Sequence, residues 1–291
     1  MRNLLCSALL ALPLLGCPTA PPPSRLPDAQ AAIDRMRATV ACGRGVQASA
    51  KLDYFGQEGR VRGSLMLIAS KPARVRMDVL NPFVGGPVAT LTSDGRDFAL
   101  ADQRDKRFYK GPATTCNISR LTNVPLPGHV LVDLLRGQAP VLVKTGPTTI
   151  EWSGSGYYVV KIPGTHQSSE EIHIAPRPDD WMKPWAEQRM RVLDVKVEQA
   201  GYVLYHAELD EHARAAMSKE QVDPANIDPP IPPSGPDCDA EVPMRLHVDV
   251  PELGNDVRFR YEQISWNPPL QPGVFTQPPL AGLEIVPVQC E

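Results

Sequence analysis

The sequence predicts a mainly β protein with a helical lid, an α+β fold in which a highly curved antiparallel half-barrel of about eleven to thirteen strands is covered by short helices. First, segments of alternating polarity recur from residue 49 almost to the C-terminus, and a curved open sheet or barrel accommodates so many strands economically. Second, the segment RVRGSLMLIAS is apolar on both faces, which is typical of a strand covered on both sides or lining a cavity. Third, an amphipathic helix follows a meander of strands and can cover one face of it.

The first sixteen residues predict a bacterial lipoprotein signal peptide. Arg2 supplies a positive charge, and residues 4–15 form an apolar run that is too short to span a bilayer. The run ends in the lipobox pattern Leu-Leu-Gly-Cys, so Cys17 is the predicted lipid anchor, acylated with chains such as palmitate. An ordinary signal peptide with an incidental cysteine is the alternative.

The residues after Cys17 predict where the protein is held. A single acyl chain binds a membrane only marginally, but a lipoprotein cysteine usually carries three, so the anchor would be effectively permanent. Pro18 and Thr19 follow, instead of the aspartate that resembles an inner-membrane retention signal, which favours the outer membrane and its periplasmic face. Residues 17–26 are rich in proline and predict an extended, semi-rigid tether.

Residues 27–291 are predicted to form one domain with insertions near 176–188 and 211–242. Removing residues 1–16 takes Arg2 from the 30 basic residues, which leaves 29 against 33 acidic residues and a net charge of about −4. Nucleic-acid binding calls for a basic stripe, and this sequence has none, so nucleic acid is not expected as a partner.

Four cysteines remain after the signal peptide and the anchor. An even number in an exported chain favours disulfides, and their wide separations argue against a metal knuckle. Three pairings are open. We prefer Cys42 with Cys116 and Cys238 with Cys290, because each bond then lies within its own half of the chain.

Local patterns predict the helices and the first strands. Residues 29–40 carry apolar side chains at helical spacing behind Asp28, a plausible cap. Three antiparallel strands follow, SAKLDYF, RVRGSLMLIAS and RVRMDVL, with turns between them. After three further strands, Ile118 and Leu121 indicate a short helical turn, and a second helix begins at Pro127 and ends at Gly137.

The two insertions carry different signals. The segment 211–242 begins with EHARAAMSKEQ, which predicts a short helix, and continues through a proline-rich stretch that cannot form regular structure. The loop 176–188 contains Trp181 and Trp185, which either pack on the domain or serve as a second membrane-interface anchor.

Three motifs between residues 80 and 137 carry a family resemblance. They are Leu80-Asn81-Pro82-Phe83 followed by a glycine and a strand, Thr122-Asn123-Val124-Pro125-Leu126-Pro127, and Leu134-Leu135-Arg136-Gly137. In this order and approximate spacing they resemble the LolA/LolB-like half-barrel family, in particular its outer-membrane lipoprotein receptors of the LolB type. The resemblance covers about sixty residues well. It implies lipoprotein reception from a soluble periplasmic carrier and release into the outer membrane.

The loop between the strands RVRMDVL and PVATLTS is apolar at its tip. Turn chemistry explains its asparagine, proline and glycines, but not Phe83 and Val84, which either tuck under a neighbour or meet an apolar surface outside the molecule. The resemblance implies that Phe83 protrudes and takes part in membrane insertion. The loop differs from the family by one extra residue, Val84.

A groove for acyl chains is expected between the sheet and the helices. Alternation on adjacent strands places one apolar set against the helices that contain Ile33 and Leu134. The candidate groove residues are Leu65, Leu67, Val75, Met77, Val79 and Leu134.

No catalytic constellation is recognisable. The six histidines form no HExxH motif, and solvated or core imidazoles explain them. The segment SGSG, residues 153–156, has the character of a hairpin turn and not of a nucleophile elbow. The sequence therefore predicts a lipid-binding protein that is not an enzyme and uses no cofactor or metal. The alternative is an envelope interaction or stress-sensing module with the same fold and no lipid transfer.

Overall fold

The structure is a computed structural model, and it describes residues 18–57, 59–81, 86–122, 126–225 and 227–290. Within these ranges the chain forms fifteen β-strands and three α-helices. The helices are α1 (Ala29–Thr39), α2 (Thr115–Thr122) and α3 (Gly128–Leu135). The strands are β1 (Gly45–Gly56), β2 (Gly59–Ser70), β3 (Arg74–Leu80), β4 (Pro87–Ser93), β5 (Asp97–Asp102), β6 (Arg107–Pro112), β7 (Thr149–Ser153), β8 (Tyr157–Pro163), β9 (Ser168–Pro176), β10 (Met190–Gln199), β11 (Tyr202–Arg214), β12 (Ala216–Met217), β13 (Glu241–Val250), β14 (Asn255–Trp266) and β15 (Glu284–Pro287).

The fifteen strands that the structure describes form one open, curved sheet. Their order is β15-β6-β5-β4-β3-β2-β1-β14-β13-β11-β10-β9-β8-β7, with β12 paired to β14 beside this path. All pairs are antiparallel except β15 with β6 and β12 with β14. The predicted β half-barrel with a helical lid is confirmed. The strand count exceeds the prediction because β12 and β15 are only two and four residues long, too short to show an alternating pattern.

The helices lie on one face of the sheet, which we call the inner face. In α1 the Asp28 side chain accepts a hydrogen bond from the Ala31 amide at 2.7 Å, so the predicted cap is present. The helix buries Ile33 and Met36 and contacts β8 and β10, whereas α3 contacts β2 and β3. Gly137 has a φ of 75° just beyond α3, a conformation that glycine adopts without strain at a helix end.

All four predicted disulfide cysteines are bonded, but the preferred pairing was wrong. Cys42 bonds Cys238 with Cα atoms 5.2 Å apart, and Cys116 bonds Cys290 with Cα atoms 6.2 Å apart. Each bond joins the N-terminal half to the C-terminal half. The reason is the sheet order, since β1 pairs with β14 and β6 pairs with β15.

The C-terminal residues cross the outer face of the sheet before they reach its edge. The Gln277 side-chain amide donates to the carbonyls of Thr90 and Ala99, at 2.8 and 3.1 Å. The chain then forms β15 alongside β6, and the Cys116–Cys290 bond attaches it to α2. We call residues 271–290 the C-terminal strap, because they cover an edge strand that would otherwise expose unpaired backbone groups.

The described part of the predicted tether lies against the domain. The Thr19 amide donates to the Gly154 carbonyl at 2.8 Å, and the Trp152 indole donates to the Thr19 carbonyl at 2.9 Å. Further along, the Ser24 hydroxyl accepts from the Trp185 amide at 2.9 Å, and Leu26 is buried in the core. Residues 18–26 are therefore attached to the domain by tertiary contacts and are not a free spacer.

The 176–188 insertion is a structured loop. Its two tryptophans are half-buried, with Trp185 against the core and the Trp181 ring edge-to-face with Trp152 at 5.8 Å. These contacts favour the packing alternative over a membrane anchor. The buried Asp180 carboxylate accepts from the Arg189 guanidinium at 2.7 Å, which fixes the loop and lowers the pKa of Asp180.

The predicted helix at the start of the 211–242 insertion is wrong. Residues 211–214 continue β11 and pair with β13, in a register that places His212 opposite Pro243. Strand pairing with a distant segment therefore outweighs local helix propensity here. Among the described residues, no helix has both the length and the hydropathy needed to cross a bilayer.

Candidate functional site

The predicted groove residues of the sheet share the inner face. The β2–β3 register places Leu65 opposite Val79 and Leu67 opposite Met77. Val75 lies one pair further along the same face. Because side chains alternate across a strand, all five point to the side that carries α3.

These residues nevertheless divide into two groups by burial. Leu65 and Leu67 are only 2% and 1% exposed, Leu134 is fully buried, and all three belong to the same packed core as Ile33. Val75 is also buried. At these positions the helices have closed onto the sheet, so the side chains form core and not an open groove.

Met77 and Val79 are half-buried and begin a different surface. Met77 contacts both the main core and a smaller cluster around Leu91 and Ile118. The register continues through Leu91 to Leu100 on β5 and Tyr109 on β6. We call the four half-buried side chains of this surface the inner patch. The inner patch consists of Met77, Val79, Leu100 and Tyr109.

Two cavities adjoin this part of the sheet. One, of about 330 Å³, opens between the start of α2 and the start of α3 and is lined by Ala73, Gly95 and His129, among others. The other, of about 460 Å³, lies under the C-terminal strap and is lined by Phe108, Phe275 and Pro279, among others. Both volumes are in the lower range of small-molecule sites. None of the six predicted groove residues lines either cavity.

A buried arginine fixes the lid to the sheet. Arg136 follows α3 and is fully buried; it donates to the Asp133 carboxylate at 3.1 Å and to the Gly43 carbonyl. Its guanidinium lies 5.8 Å from the Trp266 ring centroid, and the Tyr261 hydroxyl donates to the Leu135 carbonyl at 2.9 Å. Burial lowers the pKa of Arg136 and raises that of Asp133. Sequence analysis quoted Arg136 only as part of a motif, although an arginine at the end of an apolar helix is itself a signal of a buried ion pair.

A buried carboxyl lies under the loop that follows α3. Glu170 projects from the inner face of β9, and one of its oxygens accepts from the Leu142 amide at 2.9 Å. Its other oxygen has no hydrogen-bond partner among the residues that the structure describes. Burial raises the pKa of Glu170 to about 7, so this group changes charge near neutral pH. A carboxylate near the start of a strand is ordinary, so the sequence alone gives no sign that Glu170 is buried.

The predicted anchor and the predicted insertion tip lie outside the described residues. For Cys17, Phe83 and Val84 the structure describes only residues nearby in the chain. Thr19 lies against the β7–β8 turn, whereas Leu80 and Pro87 are at the opposite end of the strands, with the β1–β2 turn. The chain thus leaves toward Cys17 at one end of the half-barrel, and the strands that flank Phe83 end at the other.

The fold and the inner face define an open β half-barrel under a helical lid. No family model matches the sequence, and no curated protein matches it. Among solved structures, a LolA superfamily protein from Nitrosomonas europaea is 11% identical, with 86% of this chain and 98% of that chain covered and a TM-score of 0.47. A DUF1329 family protein from Desulfovibrio piger is 10% identical, with 85% and 96% covered and a TM-score of 0.49.

The lipoprotein LppX from Mycobacterium tuberculosis is 11% identical, with 84% of this chain and 97% of that chain covered and a TM-score of 0.28. Sequence identities this low do not show that two proteins share a function. The resemblance to receptors of the LolB type rests on the sequence motifs alone.

Proposed function

We propose that this protein is a lipid-anchored lipoprotein of the outer membrane that binds acyl chains and helps to localise or insert other lipoproteins there. The observation that carries the proposal is the inner patch, an apolar surface only half covered by the lid. The neighbouring cavity between the starts of α2 and α3 offers further space for a bound chain. The proposed partners are acyl chains, the membrane through the lipid on Cys17, and a soluble periplasmic carrier that delivers the cargo.

The physical need for such a surface is large. An acyl chain of about fourteen CH₂ groups costs on the order of 11 kcal/mol when it is fully exposed to water. A protein that accepts such a chain in an aqueous compartment must therefore cover it along most of its length. Because the side chains of the inner patch are only half-buried, an acyl chain can reach them from solvent.

The second candidate is an envelope interaction or stress-sensing module that carries no lipid. One observation favours it: Leu65, Leu67 and Leu134 are packed in the core, so part of the predicted groove is filled. Under this alternative the half-barrel is a rigid scaffold. The inner patch then binds no ligand and is a part of the sheet that the lid does not fully cover.

A pair of methionine variants separates the two candidates. Met77 lies in the inner patch, whereas Met66 is 38% exposed on the outer face of the adjacent strand. In a full chain that carries Cys17→Ala to remove the lipid anchor, Met77→Trp should fill the patch and weaken binding of a fluorescent fatty acid about tenfold, because overfilling a packed site costs about 1–3 kcal/mol. Met66→Trp is the matched control and should leave the affinity unchanged.

The same variants test the transfer step. With a lipidated cargo and liposomes, the wild-type chain should deliver cargo and the Met77→Trp chain should deliver less, in proportion to its weaker binding. Absence of fatty-acid binding at micromolar concentration would contradict acyl binding and favour the interaction module. Equal affinity of both variants and the parent would show that acyl chains bind somewhere other than the inner patch.

A further inference from the structure

The outer face carries a row of titratable side chains across four adjacent strands. His173 on β9 is opposite Asp194 on β10, and Asp194 is opposite Glu208 on β11. Glu208 is in turn opposite His247 on β13. This face is turned away from the lid and the inner patch, so the row has no part in the proposed acyl site.

Two side chains of this row and His206, which lies two residues before Glu208 on β11, come close enough to share one ion. The candidate ligand atoms of Asp194, His206 and Glu208 all lie within 4.8 Å of one another. The His206 Nε2 is 2.5 Å from an Asp194 oxygen, and the His173 Nδ1 is 3.8 Å from the other Asp194 oxygen. All four side chains are partly exposed, so an ion can reach them from solvent.

The charges of this cluster favour a cation. Two carboxylates directly opposite each other on neighbouring strands repel, and such a pair is destabilising unless a positive charge lies between them. The ammonium of Lys196, on the same face, is paired with Glu198 at 2.7 Å and attracts Asp194 only at longer range. Among the described side chains, the hydrogen-bonding partners of Asp194 and Glu208 are imidazoles, and a neutral imidazole is a metal ligand.

We propose that Asp194, His206 and Glu208 bind a divalent transition-metal ion of the zinc type, with His173 as a fourth ligand. Nitrogen and carboxylate oxygen are ligands that zinc accepts at about 2.0–2.2 Å in a tetrahedral site. Such bonds separate neighbouring ligand atoms by about 3.3–3.6 Å, so the ligand atoms of Asp194, His206 and Glu208 can close around an ion with side-chain shifts of about 1 Å.

Neighbouring carboxylates already orient two of the imidazoles. The Glu171 carboxylate is 2.8 Å from the His173 Nε2, which leaves the Nδ1 facing Asp194. A carboxylate behind a histidine in this way fixes the ring and raises its basicity as a ligand. The Glu208 carboxylate contacts the His247 Nδ1 at 2.9 Å, and that ring is held by Asp256 at 3.0 Å. The cluster is thus held on a rigid sheet by contacts on both sides.

Calorimetric titration with zinc chloride tests the site in the full chain carrying Cys17→Ala. This substitution also removes the only cysteine outside the two disulfides and the predicted signal peptide, so no free thiol of the mature chain competes for zinc. We expect one ion per chain for the parent. His206→Gln should weaken its binding at least tenfold, since loss of even an outer contact to a metal site typically costs about 10- to 100-fold. His166→Gln is the matched control, because His166 is exposed in the β8–β9 turn, and it should bind as the parent does.

Two further measurements protect the conclusion against a folding defect. Glu208→Gln changes a half-exposed side chain and should weaken zinc binding while the metal-free melting temperature stays unchanged. Cobalt(II) should give a tetrahedral absorption spectrum with the parent and lose it with either variant. Absence of zinc binding to the parent, or equal binding by His206→Gln, would overturn the proposal. So would binding that His247→Gln abolishes and His206→Gln does not.

Discussion

Glu170 is a single residue whose environment makes stability depend on pH. Its side chain is 1% exposed, and burial raises its pKa from an ordinary 4.5 to about 7. The folded chain therefore retains this proton over a range in which the unfolded chain has lost it. Between pH 4.5 and pH 7 the contribution of Glu170 to the free energy of unfolding falls as the pH rises, because at this group the folded state binds more protons.

Glu170→Gln should stabilise the protein at pH 8 and not at pH 4.5. Glutamine keeps an oxygen for the Leu142 amide but carries no charge. The gain at pH 8 should be about 3 kcal/mol at most, since one pKa unit corresponds to about 1.4 kcal/mol. Urea unfolding at both pH values measures it. Glu151→Gln, on the exposed face of β7, is the control, and a pH-independent difference for Glu170→Gln would contradict the assignment.

Alternation of polarity along a strand predicts which face of the sheet a side chain lies on, but not whether that face is covered. It placed Leu65, Leu67, Met77 and Val79 on one face, and the register agrees. It could not tell that the first two are core and the last two form the edge of a half-covered surface, because that depends on where α3 ends above the sheet. In the same way, no local pattern brings His173 beside Asp194, since a strand register joins them.

Loss of the C-terminal strap should lower the free energy of unfolding by a large amount for so short a segment. The C-terminal strap supplies β15 to the edge of the sheet and is bonded to α2 through Cys116–Cys290, at a sequence separation of 174. Cross-linking such a long loop restricts the unfolded chain strongly, and loss of a native disulfide typically costs about 2–5 kcal/mol. Cys290→Ser should therefore lower the free energy of unfolding by an amount in this range.

A double variant controls this prediction. Cys116→Ser and Cys290→Ser remove the same bond, so each single variant and the double variant should be destabilised equally under non-reducing conditions. A much smaller effect of Cys290→Ser would mean that the strap holds without the bond. A larger effect of the double variant would mean that Cys116 has a role beyond it.

Elements were predictable where the determining contacts are local. The cap of α1 lies at Asp28, next to the helix, and the glycine that ends α3 lies two residues after it. The start of the 211–242 insertion was mispredicted because β11 is completed by β13, about thirty residues later. The disulfide pairing failed for the same reason, because sheet order and not sequence proximity decides which cysteines meet.

At the scale of the whole molecule, membrane association is predicted to depend on one residue. Cys17→Ala should release the protein into the soluble fraction, because the proposed anchor is the lipid on Cys17 and alanine cannot carry it. Fractionation of cells with and without a high-salt wash measures this. Cys6→Ala is the control, since Cys6 lies in the apolar run of the predicted signal peptide and should not affect anchoring. Retention of the Cys17→Ala chain after the wash would mean that a second segment holds the membrane.

The pairing of β1 with β14 has a consequence for the order in which the protein is made. Cys42 and Cys238 are separated by 196 residues, so the early part of the chain is complete long before its partners exist. Until residues 255–266 emerge, one side of β1 has no neighbour and exposes unpaired backbone groups. Such long-range pairing makes folding slow and leaves an intermediate open to aggregation. A cell that makes this protein must therefore shield a half-built sheet, and keep Cys42 from bonding Cys116, until the last part of the chain arrives.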